Sequence, residues 1–472
     1  MRRVGFIVVT LACAAVHGAL AAGPADVALT VGERTSIAAA LQGSDEASVA
    51  PFDSASDDAL LASVIRHATA ELGLRVQPSE VDSLWAIAPP RRQVATELAQ
   101  ARSAGRLDLW LQGLAPPATA YRALLAARCR YRQVVDNGGW PPLPPGSADL
   151  RPGAAGAAVT DLRRRLVAEG YLPEAQRDGE IFDAPLRAAV AAFQRRHDLE
   201  ADGVVGPATR EALDVTAEQR LMQIEANLER WRWIRSLPAD RLEVNVAAAE
   251  AVLYAQDTPS LSMRTVVGDL RHRTPMFTSR LAGVVFNPPW NVPASIASKE
   301  LWPKERAQPG YLARNGFSVV EGALRQAPGP RNALGRVKFD FPSPFGVYLH
   351  DTPARTAFAR ANRALSHGCI RLEKPRELAT VLLASQGWTA DAIAAAIESG
   401  ETQRIPLDGR LPVYVLYWTV EPQPDGGLQF HPDRYGWDDK LNAAVARAGA
   451  ASVAQPLADT DCAAAKSPQP VL

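Results

Sequence analysis

Apolar residues recur at spacings of three and four through much of the first half of this chain, and gather into short alternating or continuous blocks through the second. ALLASVIRHATAELGL and AYRALLAARCRYRQVV, both within residues 58–135, carry the first spacing, which puts their apolar side chains on one face of a helix. Val159, Leu162 and Leu166 share a second such face, and Leu186, Val190 and Phe193 a third. DGVVGPATREAL then opens another helix with Pro207 in its first turn, where a missing N–H costs nothing. Between these groups NGGWPPLPPGSADLRPG is dense in Gly and Pro and reads as a boundary. Beyond Arg241 the texture turns to strands: LEVNVAAAEAVLYA reads as a hairpin, LSMRTVVG as a strand, and PVYVLYWTV as the strongest late strand. Helices are predicted at 295–305, 354–363, 375–385 and 389–399, with a polar loop running up to Asn332.

These patterns predict a multidomain α+β chain, since 472 residues exceed what one core holds. Arg2 and Arg3, the apolar run Val4 to Val16, and Ala19-Leu20-Ala21 read as an export signal over 1–22. Residues 23–57 are rich in Ala, Ser and Asp and read as a poorly ordered linker. A helical domain is expected at 58–148, a three-helix module at 149–214 and a connecting helix at 215–240. A mainly-β domain follows at 241–445, interrupted at about 294–331, with a disordered tail at 446–472.

The charge balance, 51 basic against 51 acidic residues, leaves no electrostatic footprint for nucleic acid. Cys13, Cys129, Cys369 and Cys462 are the cysteines. Losing the leader leaves an odd number, which in an exported chain points to a reactive thiol. A Cys129–Cys462 disulfide stays open.

Two segments carry the candidate chemistry: Tyr348-Leu349-His350-Asp351, and Ser366-His367-Gly368-Cys369-Ile370-Arg371. A thiol attacks only as thiolate, and an imidazole can take its proton. His350 and His367 are both available, and Gly368 permits a sharp turn beside the sulfur. Two plainer readings compete. Cys369 can be a small buried hydrophobe. Or His350, His367 and Cys369, with Asp351, can ligate zinc, although neither CxxC nor HExxH spacing is present. Spacing alone leaves all three standing.

Residues 151–214 resemble the type 1 peptidoglycan-binding domain. The matching residues are Val159, Leu162 and Leu166, Gly170-Tyr171, the Asp178-Gly179 to Phe182 turn, Ala188 to Phe193-Gln194, and Asp202-Gly203-Val204-Val205-Gly206-Pro207-x-Thr209. His350, fifteen further residues, then Ser366-His367-Gly368-Cys369 resemble the signature of L,D-transpeptidase catalytic domains. Val267-Gly268 with Thr274-Pro275, Asn287-Pro288-Pro289-Trp290 and Asn332-Ala333-Leu334-Gly335 support it. Ile370-Arg371 and the Gly138-Gly139-Trp140-Pro141 turn are similar to the large scaffolded, Gram-negative-type members. The resemblance spans about 60 to 445.

That resemblance implies a helical scaffold, a peptidoglycan-binding module and a mainly-β catalytic domain whose insertion forms a cap, with Gly310, Gly316 and Pro330 letting it move. It implies Cys369 as nucleophile and His350 as general base. His367 would orient the site, and N–H groups at Gly368 and Cys369 would form an oxyanion hole. Ser366, Arg371, Tyr348 and Trp290 are the expected substrate contacts, and His272 reads as a polar loop residue. No metal or cofactor is implied. The expected partners are peptidoglycan stem peptides and glycan strands, with carbapenems as inhibitors and other cell-wall synthases as companions in the periplasm. The expected reaction is 3→3 cross-linking. Hydrolysis of the same thioester, attachment of a lipoprotein, and non-catalytic wall binding are the alternatives.

Overall fold

The computed structural model describes residues 28–42, 55–143 and 149–452. The export signal, Cys13, Cys462 and much of the expected linker lie outside them. Within them Cys129 and Cys369 are free thiols, and no helix is long and apolar enough to cross a membrane. The chain divides into two compact units, residues 1–68 with 92–114 and residues 69–91 with 115–472.

The first unit is helical: Val31–Leu41, the larger part of Asp57–Glu71, Val94–Ser103 and Leu107–Gln112. The first of these corrects the expectation of a poorly ordered 23–57. Thr30 accepts from the Glu33 amide while the Glu33 carboxylate accepts from the Thr30 amide, a reciprocal cap that satisfies two otherwise unpaired donors. Ile37 and Leu41, one turn apart, are fully buried. A cap and one buried face outweigh a composition typical of linkers.

In the second unit, helices Ala157–Ala168, Ala184–Arg195 and Pro207–Leu213 close around Val159, Leu162, Leu166, Leu186, Val190 and Phe193. Gln194 is buried among them. Its amide nitrogen faces Asp202 Oδ1, the Val204 carbonyl and Thr209 Oγ1 at 2.8, 2.9 and 3.0 Å, and its oxygen accepts from the Gly203 amide at 2.8 Å. That single buried amide ties helix to turn, the structural reason for Gln, Asp, Gly and Thr at these spacings. The connecting helix, Ala217–Ile234, begins on a Thr216–Gln219 capping box and stacks Trp231 on Trp418 with ring centroids 4.8 Å apart.

The strands, in chain order, are β1 (Trp85–Ala86), β2 (Arg241–Asn245), β3 (Glu250–Ala255), β4 (Thr258–Gly268), β5 (Met276–Arg280) and β6 (Gly283–Phe286). After β7 (Trp290–Asn291), β8 (Phe317–Val320) and β9 (Ala323–Gln326) come β10 (Val337–Asp340), β11 (Leu349–His350), β12 (Ala364–Ser366) and β13 (Ile370–Leu372). The last are β14 (Gln403–Pro406), β15 (Pro412–Leu416), β16 (Val420–Pro422) and β17 (Leu428–Phe430). The main sheet runs β1-β5-β15-β2-β3-β4-β13-β11-β10-β6-β14, with β12 beside β4.

Four expectations change. Trp85–Ala86, assigned to the helical domain, is a strand parallel to β5, with Trp85 buried against Trp233 and Trp437. Two residues are too few to show a period, so only the tertiary contact defines it. The helix expected at 354–363 is a short 3-10 turn, Arg355–Ala359, followed by β12. The polar loop before Asn332 holds the β8–β9 hairpin, which with β7 builds a three-stranded cap sheet over its own core of Val292, Ala297, Leu301, Leu312 and Leu324. The tail expected from 446 is helical as far as Ser452 in Trp437–Ser452, whose start is buried at Trp437 and Leu441.

Candidate active site

β4 ends at Gly268, where a side chain has no room: an added Cβ would lie 2.0 Å from the His272 carbonyl oxygen and 2.7 Å from the Thr274 amide. That close approach lets the loop 269–274 fold back. Thr274 Oγ1, fully buried, accepts from the Gly268 amide at 2.8 Å and donates to the Gly368 carbonyl at 2.9 Å. One hydroxyl thus joins the end of β4 to the loop that carries Cys369. Asp269 adds a second tie through its amide, 2.9 Å from the Ser366 carbonyl.

Gly368 turns that loop at φ +101°, a conformation that L side chains rarely adopt. Ser366 Oγ donates to the Cys369 carbonyl at 2.6 Å and accepts from the Gly368 amide at 3.1 Å. At 1% exposure, Ser366 shapes the loop and is not presented to substrate, a correction to its expected contact role. The Gly368 N–H is likewise committed within the loop. Among the described residues the Cys369 N–H carries no protein hydrogen bond, so it is the loop donor left for an oxyanion.

β11 and β13 run parallel, with His350 opposite Arg371 and Leu349 opposite Ile370, and the Ile370 amide reaches the Tyr348 carbonyl at 3.0 Å. Side chains two apart along a strand share a face, and opposed residues point the same way. Leu349 and Ile370 therefore enter the core, both fully buried, while Tyr348, His350, Cys369 and Arg371 share the other face. Tyr348 neighbours Cys369 through both its backbone and its phenol, each favouring the thiolate, and the Trp290 indole favours the Tyr348 phenolate in the same way. Lys338 Nζ stands 4.7 Å over the Tyr348 ring and 2.8 Å from Asp340.

Burial pushes the Cys369 thiol up, against the lowering effect of the Tyr348 hydrogen bonds and the Arg371 and Lys338 charges. Burial, then the Arg371 charge, lowers His350 to about 3. The resting pair is a thiol and a neutral imidazole. His350 Nδ1 lies 2.5 Å from the Asp351 carbonyl, and no hydrogen bond joins His350 to Cys369 among the described residues. Asp351 is held in turn by the Arg336 amide at 2.8 Å. His350 is thus a diagonal neighbour of the sulfur, with its ring oriented by backbone.

The other expected residues scatter. His367 faces outward to Glu300 of the cap, Nε2 to Oε1 2.6 Å, and packs on His272 with ring centroids 4.5 Å apart. His272, read from the sequence as a plain loop residue, is therefore part of this cluster. No local pattern announces it, because it reaches His367 only through the fold-back at Gly268. Trp290 packs into the cap core beside Phe317. Gly310 and Gly316 occupy left-handed turns inside the cap. Among the described residues no three His, Cys, Asp or Glu side chains converge as a metal-ligand set.

Residues 239–415 match a family model described as an L,D-transpeptidase catalytic domain. Residues 155–213 match a "Putative peptidoglycan binding domain" and residues 11–127 a scaffold domain. A protein of Haemophilus influenzae named "Putative L,D-transpeptidase" is 36% identical over 222 residues, 43% of this chain and 45% of that protein. The chain thus spans less than half of that relative. An N-acetylmuramoyl-L-alanine amidase, CwlM of Mycobacterium tuberculosis, is 44% identical over 72 residues, 14% of this chain and 18% of its own. Among solved structures, L,D-transpeptidase 3 of Mycobacterium tuberculosis with a faropenem-derived adduct aligns at 13% identity. It covers 38% of this chain and 60% of that one at a TM-score of 0.21, too slight a likeness to bear on fold or function.

Proposed function

We propose that this chain, which carries scaffold, peptidoglycan-binding and L,D-transpeptidase catalytic domains in that order, forms 3→3 cross-links in peptidoglycan through a thioester on Cys369. The observation that carries the reading is the face shared by Cys369, Tyr348, His350 and Arg371, inside the matched catalytic domain.

In the first step Sγ attacks the carbonyl of the diamino-acid residue in a donor tetrapeptide stem. The thiol proton passes to His350, which turns from its backbone partner and then protonates the departing D-Ala amine. Because the resting pair is neutral, proton transfer accompanies attack. The Cys369 amide faces the developing oxyanion, and Arg371 supports the charge around the sulfur. In the second step the side-chain amine of another stem attacks the thioester. The binding module supplies polymer docking through glycan or stem peptide. Residues 1–22 direct export to the periplasm, where other cell-wall synthases act on the same polymer, and a carbapenem acylates Cys369.

The test incubates purified protein with disaccharide-tetrapeptide and reads the products by mass spectrometry. Dimers lacking one D-Ala are expected, along with a carbapenem adduct on Cys369. Tripeptide alone would reassign the chain as a hydrolase, and activity surviving in Cys369→Ala would remove the nucleophile.

A further inference from the structure

An acceptor amine arrives from solvent as an ammonium, with an ordinary pKa of about 10, and must lose a proton before it can attack. His350 is 4% exposed, with its Nδ1 on the Asp351 carbonyl, and so is closed to an amine arriving from solvent. A second imidazole, His367, is carried by the loop of Cys369 and is partly exposed. The His367 and Glu300 side chains are 36% and 38% exposed, and Nε2 lies 2.6 Å from Oε1. With Nε2 directed at the Glu300 carboxylate, Nδ1 is the ring nitrogen left to meet an acceptor. Glu300 stands in a π-helical turn of the cap, Ala297–Leu301, a rare geometry found often at functional sites. His367 is two residues from Cys369, across the Gly368 turn.

We infer that Glu300 and His367 form a carboxylate–imidazole dyad that deprotonates the acceptor amine, a role separate from that of His350; this rests on the transpeptidase reading above. The ammonium gives one proton to Nδ1, and Glu300 stabilises the imidazolium that results. The amine lone pair forms the N–C bond to the thioester carbonyl. The C–S bond breaks with its electron pair returning to Sγ, and the surplus proton on nitrogen passes to the sulfur, restoring the thiol. His367 releases its proton to solvent. The titratable groups facing the ring are Glu300 from the cap, His272 from the loop after β4, and Asp269 behind it, 3.1 Å from His272 Nδ1. His367 acts on the amine itself, and Glu300 is a positioning residue.

The experiment compares the full chain with Glu300→Gln, and with Glu321→Gln on the cap hairpin turn as control. Carbapenem acylation reads the first step; dimer and tripeptide yields from disaccharide-tetrapeptide read the second, from pH 6 to 9. In Glu300→Gln the ratio of dimer formation to acylation is expected to fall about tenfold at pH 7, less than the roughly hundredfold or more that a base itself supplies, because the variant keeps His367 and loses only its positioning. The deficit should narrow towards pH 9, where free amine is more abundant. Glu321→Gln should match the parent. Equal loss in both steps, or an unchanged dimer-to-tripeptide ratio and pH profile, would overturn the dyad. A parent chain that acylates but yields only tripeptide would sink the transpeptidase reading, and the dyad with it; one that yields dimers while Glu300→Gln keeps the parental ratio would sink the dyad alone.

Discussion

His431→Gln removes an imidazole held between two carboxylates, Asp198 of the three-helix module and Glu421 on β16. Nδ1 is 2.6 Å from Asp198 Oδ2, Nε2 is 2.8 Å from Glu421 Oε2, and the residue is 5% exposed. Phe430 stacks over His197 of the module beside it, with ring centroids 5.5 Å apart. Burial opposes charge on His431, but the hydrogen bonds and charges of Asp198 and Glu421 outweigh it and raise the pKa to about 10, from 6.5. The folded pKa lies above the unfolded one. The clamp's stability is therefore fully present below pH 6.5 and is lost as pH rises through 10. The rise from 6.5 to about 10, at about 1.36 kcal/mol for each tenfold in proton affinity, sets a ceiling of about 5 kcal/mol. Asp198 and Glu421 side chains are 33% and 35% exposed, so solvent screening reduces this, and about 2–3 kcal/mol is expected at pH 6. Urea unfolding followed by tryptophan fluorescence reads it, since Trp231 and Trp418 stack in the same unit. The difference between parent and variant should shrink across pH 7 to 10, at no more than about 1.4 kcal/mol per pH unit, one proton's worth. A difference that stays constant from pH 6 to pH 10 would refute the charged clamp.

Two further tests concern the surroundings of Cys369. Gly268→Ala forces a Cβ against the His272 carbonyl and the Thr274 amide, so the Thr274 hydroxyl must leave Gly368. Overpacking of this kind costs about 1–3 kcal/mol and should slow carbapenem acylation at least tenfold, about one 1.4 kcal/mol step; acylation at the parental rate would show that the loop does not depend on this contact. Because burial raises the Cys369 thiol and His350 stays neutral, iodoacetamide labelling of Cys369 should keep accelerating above the usual thiol range. A rate that levels off at neutral pH would mean a resting thiolate–imidazolium pair instead.

Sequence and structure divide the remaining explanation between them. Val159, Leu162 and Leu166, or Leu186, Val190 and Phe193, announce a helix face because neighbours at three and four residues must share one side, and those residues are the observed module core. His350 and Ser366-His367-Gly368-Cys369 stood out through their resemblance to a family signature, while their spacing alone left nucleophile, buried cysteine and zinc ligand open. Gly368 is needed where the chain takes φ +101°, a demand made by the residue itself.

Partnership across the fold is another matter. A period says which side chains face inward, and not what they face. Trp85 becomes a strand residue only because β5 lies alongside it. Ser366 turns to its own loop, and His272 and Glu300 reach His367 from segments 95 and 67 residues away in sequence. The chain alone marked its longer amphipathic helices, its module and the segment that holds Cys369. Tertiary structure decided which side chains stand beside that sulfur and which imidazole and carboxylate meet His367, because the β11–β13 register and the fold-back at Gly268 arise from packing that no local stretch encodes.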